Sequence, residues 1–266
     1  MEYFAYNIDE YQHLEQGNKY APTWQFRLAI AGSSDSGKTT MIINLLMGTK
    51  KVKEDGERYI RCNDVVLIGK YLNEPKWNIV RDFFNELAEK GEDVSFKAIP
   101  PTDIPDPDDF DPNRYTVVIF EDLMNASSRI QNKISDYFSH GRHSNISPIY
   151  VSQRFFSIPK TIRENVNYIS LHRGGGSLSD IKRIISQYTD QSGTLAPIID
   201  DLTLKKEFIV FDLRKPRTDP LSIRVRWDTS LSSIKIEDRQ ITMISEINSK
   251  FSSYGQEAIA LAKKNA

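Results

Sequence analysis

The sequence predicts an α/β fold: a mainly parallel central sheet with helices on both faces, followed by a C-terminal β-hairpin and a helix. Three observations predict it. Short continuous apolar runs, the mark of strands buried on both faces, alternate with amphipathic helical stretches from Phe26 to Ile185. The chain has 266 residues, enough for one large domain or a domain with an appendage. Its composition, 39% hydrophobic and 27% charged, is that of an ordinary folded protein and argues against disorder on a large scale. The expected division is a lead-in over 1–25, a core over 26–213, and a C-terminal hairpin and helix over 214–266.

Residues 1–24 are polar and aromatic, with Tyr3, Phe4, Tyr6, Tyr11 and Tyr20 among charges, and read equally as a packed flank or a loose arm. Phe26–Ala31 reads as a buried strand. After it comes Gly32-Ser33-Ser34-Asp35-Ser36-Gly37-Lys38-Thr39, which fits the phosphate-binding pattern G-x-x-x-x-G-K-[ST]. Gly32 and Gly37 let the backbone turn tightly, so that successive N–H groups converge on phosphate oxygens. The following helix points its positive end at the same anion. Lys38 is expected to reach the β- and γ-phosphates of ATP, and the Thr39 hydroxyl to bind Mg²⁺. Gly32, Ser33, Ser34, Asp35, Ser36, Gly37, Lys38, Thr39 and Thr40 are therefore the expected cofactor-binding residues. The bare pattern arises by accident in roughly one chain in a hundred of this length, but the strand before it and the helix after it are the context it requires.

That helix is expected to bury Met41, Ile42, Leu45 and Leu46 and to end at Gly48. Residues 49–63 read as a charged surface loop. Val65–Gly69 is a strand; a helix over 76–90 follows, with Trp77, Val80, Phe83, Phe84 and Leu87 at helical spacing as core residues and Gly91 at its end. Ser95–Ile99 is another strand. Prolines forbid regular structure over 100–114, where Asp103, Asp106, Asp108, Asp109 and Asp111 make the chain acidic. This stretch lacks the glycine and the terminal glutamate of a calcium-binding loop and reads as a solvated connector.

Thr116–Phe120 is a buried strand ending in Glu121-Asp122, and a helix over 125–139 follows with Ile130, Ile134, Tyr137 and Phe138 inward. Ser147–Ser152 is a strand ending at Gln153. Tyr168–His172 is another, followed by Gly174-Gly175-Gly176 and a helix with Ile181, Ile184 and Ile185. Glu207–Asp212 and Ser222–Trp227 read as a hairpin, and the chain is expected to be helical from about Gln240. In parallel sheets ligands bind at the carboxyl ends of strands, where the phosphate loop, Glu121-Asp122 and Gln153 all fall.

Phosphoryl transfer to water needs a metal to offset charge and a carboxylate to orient or deprotonate the attacking water. Glu121 and Asp122 can divide those tasks. Gln153, an uncharged amide, can bond both water and the γ-phosphate. Net charge is −1, so there is no overall basic footprint. Locally, Arg129, Lys133, Arg142, Arg154, Lys160, Arg163, Arg173, Lys182 and Arg183 outnumber Asp136, Glu164 and Asp180, compatible with contact to a phosphate backbone. Cys62 is the only cysteine, which suits a reducing compartment; no secretory signal or apolar run of membrane-spanning length is visible. His140, His143, His172 and Cys62 match no zinc-ligand spacing.

GSSDSGKTT, VVIFED, FSHGRHSNISPIYVSQRFF and IPKTIRENVNYI together resemble the genome-packaging ATPases of large nucleocytoplasmic DNA viruses, in the FtsK/HerA branch of P-loop ATPases. The resemblance covers about residues 26–175. It implies a P-loop NTPase fold with the Gln153 strand between those of the loop and of Glu121. It also implies a homo-oligomeric ring, a pentamer or hexamer, that hydrolyses ATP with Mg²⁺ to move double-stranded DNA in the host cytoplasm or virion, with a capsid or portal protein as a further partner. Carried over by position, Lys38 and Thr39 are the phosphate-loop residues, Glu121 the metal-side acid with Thr39, Asp122 the catalytic acid and Gln153 the sensor. The usual acid order in this branch is Asp-Glu or Asp-Asp; here Glu comes first. Arg142, in HGRH, is expected as an arginine finger on a neighbour's ATP, with Arg154, Arg163 and Arg173 as rivals. Competing readings are a nucleotide-dependent switch, a small-molecule kinase and a non-catalytic nucleotide-binding scaffold; a guanine-reading NKxD segment after a strand is missing.

Overall fold

The apolar runs become strands because they can bury both faces at once. The computed structural model describes residues 21–50 and 57–231. Its strands are β1 (Leu28–Ala31), β2 (Thr49–Lys50), β3 (Glu57–Arg58), β4 (Asp64–Gly69), β5 (Ser95–Ile99), β6 (Thr116–Glu121), β7 (Ile146–Ser152), β8 (Tyr168–Leu171), β9 (Ile209–Asp212), β10 (Ile223–Val225) and β11 (Thr229–Ser230). The helices are α1 (Lys38–Met47), α2 (Pro75–Glu89), α3 (Ser128–Ser139), α4 (Lys160–Arg163), α5 (Leu178–Ser186) and α6 (Ser192–Leu204). One sheet runs in the order β11-β10-β9-β8-β1-β7-β6-β4-β5. Strands β8, β1, β7, β6, β4 and β5 are parallel; β9, β10 and β11 continue it antiparallel as the C-terminal hairpin strands.

Side-chain alternation divides the core into two layers. Ala29, Ala31, Val118, Phe120, Tyr150, Ile169 and Phe211 face α3, α5 and α6. Leu28, Ile30, Val117, Ile119, Ile149, Val151 and Val210 face α1 and α2. Each fully buried Ile, Leu or Val contributes roughly 1.5–3 kcal/mol by leaving water, so this two-sided packing fixes which strand ends lie together.

The helical readings carry over in kind. Helix α1 buries Met41, Ile42, Leu45 and Leu46 and ends at Gly48, whose φ of −67° is not the left-handed value common in glycine caps. Helix α2 buries Trp77, Val80 and Phe84, and Gly91 follows it at φ +91°. Helix α3 starts at Ser128 rather than Asn125, because the Ser127 hydroxyl accepts from the Ile130 N–H and sets the cap there.

Three readings need correction. Residues 49–63 are not one loop: β2 pairs antiparallel with β3, and Ile60 and Cys62 are buried. The stretch 100–114 holds two short 3₁₀ turns, each begun by a proline, Pro101 and Pro107. It is docked rather than solvated along its length: Ile104 is 3% exposed, the Tyr137 hydroxyl donates to the Pro105 carbonyl, and Lys133 pairs with Asp106 at 3.0 Å. Helix α6 has no counterpart among the sequence-predicted elements; Gly193 near its start and Pro197 inside it mask a buried face of Leu195, Ala196, Ile199 and Leu202. The lead-in before Ala21 and the helix expected after Gln240 lie outside the described residues. Among the described residues no helix is long and apolar enough to cross a membrane.

Candidate functional site

Register places the site. Ala31, at the end of β1, pairs with Ser152 of β7 and Leu171 of β8, and Glu121 of β6 pairs with Val151. The residues that follow these strand ends share the carboxyl edge of the sheet. They line a cavity of about 200 Å³ whose wall includes Ser34, Asp35, Lys38, Thr39, Glu121, Asp122 and Gln153. The three chain segments singled out in the sequence therefore meet at one place. Lys70, Tyr71 and Glu74, from the turn between β4 and α2, complete the wall.

The loop after β1 is held by close packing. A Cβ on Gly32 would lie 2.4 Å from Ser36 Oγ and 2.6 Å from His172 Cβ, so only glycine fits. Gly37 adopts φ +88° at the start of α1, where no side chain caps the helix. The uncapped amino end leaves first-turn N–H groups for an anion. Lys38 Nζ donates to the carbonyls of Gly32 at 2.6 Å and Ser33 at 2.7 Å. Burial draws its ammonium below the ordinary lysine value, while Asp122 and Glu121 act in the opposite direction.

Glu121 is half-buried and held from both sides. Thr39 Oγ1 donates to its Oε1 at 3.2 Å, and the Trp77 indole N–H donates to its Oε2 at 2.5 Å. Burial raises the carboxyl above the usual glutamate value, and the two hydrogen bonds lower it in part. Asp122 is exposed and turns away from the strand in the left-handed region, φ 53°. Gln153 is exposed on the same wall. Thr40 is exposed on α1. Thr39 Oγ1 and Glu121 supply hard oxygen donors side by side, a set that suits Mg²⁺.

The arginines separate by edge. Arg142 is exposed in the 3₁₀ turn Gly141–Ser144 that precedes β7, at the amino edge of the sheet, opposite the phosphate loop of its own chain. Arg154 and Arg173 follow β7 and β8 on the loop's edge and are exposed. Arg163 bonds the Ile158 carbonyl through Nε and stacks over Phe156. His140 and His143 lie beside Arg142, and His172 lies at the other edge; among the described residues no group of three His, Cys, Asp or Glu side chains could hold a metal ion.

Sequence reasoning gave no site role to two supports. Trp77 read as core, and nothing in its spacing marks the indole N–H aimed at Glu121. The segment after β8 forms the back wall of the phosphate loop: Ser33 N–H donates to the Arg173 carbonyl at 2.8 Å, and His172 Nδ1 lies 3.1 Å from the Ser36 carbonyl. Its signal was the run Gly174-Gly175-Gly176. Gly174 has φ +70° with Ser33 close by, and a Cβ on Gly175 would lie 2.6 Å from the Ala31 carbonyl. A larger cavity of about 730 Å³, between α5 and the β9–β10 connection, holds none of the predicted site residues.

Residues 108–199 match the family model described as Poxvirus A32 protein. No curated protein matches the chain. The genome packaging NTPase B204 from Sulfolobus turreted icosahedral virus 2, solved with AMPPCP, is 16% identical, with 76% of this chain and 97% of that chain covered and a TM-score of 0.46. B204, the DNA-packaging ATPase from Sulfolobus Turreted Icosahedral Virus, gives 14% identity, the same coverages and a TM-score of 0.49. EssC from Geobacillus thermodenitrificans gives 12% identity over 57% of this chain and 33% of that one, with a TM-score of 0.34. At these identities and scores the solved structures carry no argument about chemistry. Over the stretch that holds Glu121, Asp122, Arg142 and Gln153, the chain is similar to the Poxvirus A32 protein family, in line with the resemblance to viral genome-packaging ATPases in its motifs.

Proposed function

We propose that this chain is a Mg²⁺-dependent ATPase whose hydrolysis drives double-stranded DNA, as in packaging of a viral genome. The observation that carries the reading is the convergence of Lys38, Thr39, Glu121, Asp122 and Gln153 on one cavity at the carboxyl edge of the sheet. The similarity of residues 108–199 to the Poxvirus A32 protein family, together with the resemblance of the motifs to viral genome-packaging ATPases, supports the choice of DNA as the substrate moved.

In this reading the amino end of α1 and Lys38 bind the triphosphate. Thr39 and Glu121 hold Mg²⁺, which when bound offsets phosphate charge. Asp122, exposed and facing the same cavity, orients or deprotonates the attacking water. Gln153 bonds water and γ-phosphate without adding charge. Arg142, at the far edge from its own loop, acts only on the nucleotide of a neighbouring copy, which calls for a homo-oligomeric ring.

The test is phosphate release by the assembled protein with and without duplex DNA. Stimulation by duplex supports the motor. Hydrolysis that duplex leaves unchanged, with the oligomer intact, rejects DNA translocation. Nucleotide binding without hydrolysis would instead favour the scaffold.

A further inference from the structure

Glu121 is held by a fully buried donor. Trp77 sits on the first turns of α2 with 0% exposure, packed in the layer between the sheet and α1, and its indole N–H is spent on Glu121 Oε2. The opposite carboxylate oxygen takes the Thr39 hydroxyl. The two donors approach from different elements, α2 and α1, so the carboxylate is fixed in both position and rotation. Thr39 stands in the first turn of α1, directly after the phosphate loop. Trp77 belongs to α2, and its N–H bonds Glu121 rather than the loop. A buried indole N–H needs an acceptor, so the bond also ties the placement of α2 to Glu121.

We propose that Trp77 is a positioning residue for the metal-side acid: it holds Glu121 in its metal-binding orientation when the Thr39 hydroxyl turns to Mg²⁺, and it thereby reports on occupancy of the site. This rests on reading the cavity as a Mg²⁺–nucleotide site. The other two tryptophans lie elsewhere. Trp24 Nε1 donates to Asn145 Oδ1, and Trp227 packs edge-on against Tyr168. Replacing both leaves Trp77 as a single optical probe whose N–H partner is a carboxylate of the site.

The experiment uses the full chain in two forms. In Trp24→Phe/Trp227→Phe protein, Mg²⁺ titrated in the presence of AMPPCP should change the emission of Trp77, and adding Glu121→Gln should change it without metal. In Trp77→Phe protein, the Mg²⁺ concentration for half-maximal phosphate release should rise at least fivefold while KM for ATP at saturating Mg²⁺ stays within about twofold. Emission of Trp77 that ignores both Mg²⁺–AMPPCP and Glu121→Gln, with binding of the analogue verified by equilibrium dialysis, overturns the proposal. So does an unchanged Mg²⁺ requirement in folded Trp77→Phe protein. If Trp77→Phe does not fold, the single-tryptophan protein decides. Failure of wild-type protein to bind Mg²⁺–AMPPCP in dialysis would reject the nucleotide-site reading itself, and the response to Glu121→Gln then still tests the Trp77–Glu121 contact.

Discussion

Asp122 occupies the left-handed region at φ 53° directly after β6. Asn tolerates that conformation as well as Asp does, whereas Ala would add backbone strain of about 1 kcal/mol. Asp122→Asn therefore tests chemistry without disturbing the turn. Phosphate release should fall on the order of 100-fold, the scale of a general base, while ATP affinity stays within a few-fold by equilibrium binding. His172 gives a different signature. It is 3% exposed, stacks on Phe208 at 5.0 Å, and burial lowers its imidazole from 6.5 to about 4. Between those values the unfolded chain binds a proton that the folded chain refuses, so stability falls as pH drops from about 6.5 to about 4. The loss is at most roughly 3 kcal/mol and should be smaller in His172→Gln, as read by urea unfolding at stepped pH.

The phosphate loop and the β9–β10 pair show opposite ways of holding an element. The loop relies on the absence of side chains. Gly32→Ala would drive a methyl against Ser36 and His172 and should cost about 1–3 kcal/mol together with most nucleotide affinity, measured by thermal shift and by binding of the nucleotide. The antiparallel pair relies on charge: Arg224 and Asp212, with side chains 3% and 4% exposed, meet at 3.1 Å between β10 and β9. Asp212→Ala strands a buried guanidinium and should destabilise by about 3–5 kcal/mol in denaturant unfolding; adding Arg224→Met should recover part of that loss. Trp77 and α2 were legible as core but not as support for Glu121, because helical spacing reports which face is buried and not what an indole N–H meets there. Helix α6 was hidden for a similar reason: Gly193 and Pro197 lower local propensity, and packing against α5 and the sheet outweighs it.

Across the molecule, parallel β8, β1, β7 and β6 bring Gln153, the Glu121–Asp122 pair and the phosphate loop to one edge and leave Arg142 at the other. If Arg142 completes a neighbour's site, Arg142→Ala and Lys38→Ala are each inactive for separate reasons, one lacking the finger and the other the loop lysine. Mixed in equal amounts they should regain measurable phosphate release, because some interfaces pair an intact loop with an intact Arg142. No recovery after subunit exchange, followed by size-exclusion chromatography of tagged mixtures, would remove Arg142 from that role.

The sequence by itself determined the α/β class, the glycine-bearing loop between strand and helix, and the residues at each strand's carboxyl end. Those features are written in local periodicity and in residue types at fixed spacing. The order of β7 between β1 and β6 agrees with what the motif resemblance implied; the tertiary structure alone decided that Trp77 and Thr39 close on Glu121 from two helices, and that His172 backs the loop. Such contacts join residues far apart in the chain, and they are selected by the burial of both sheet faces rather than by any pattern within a single segment.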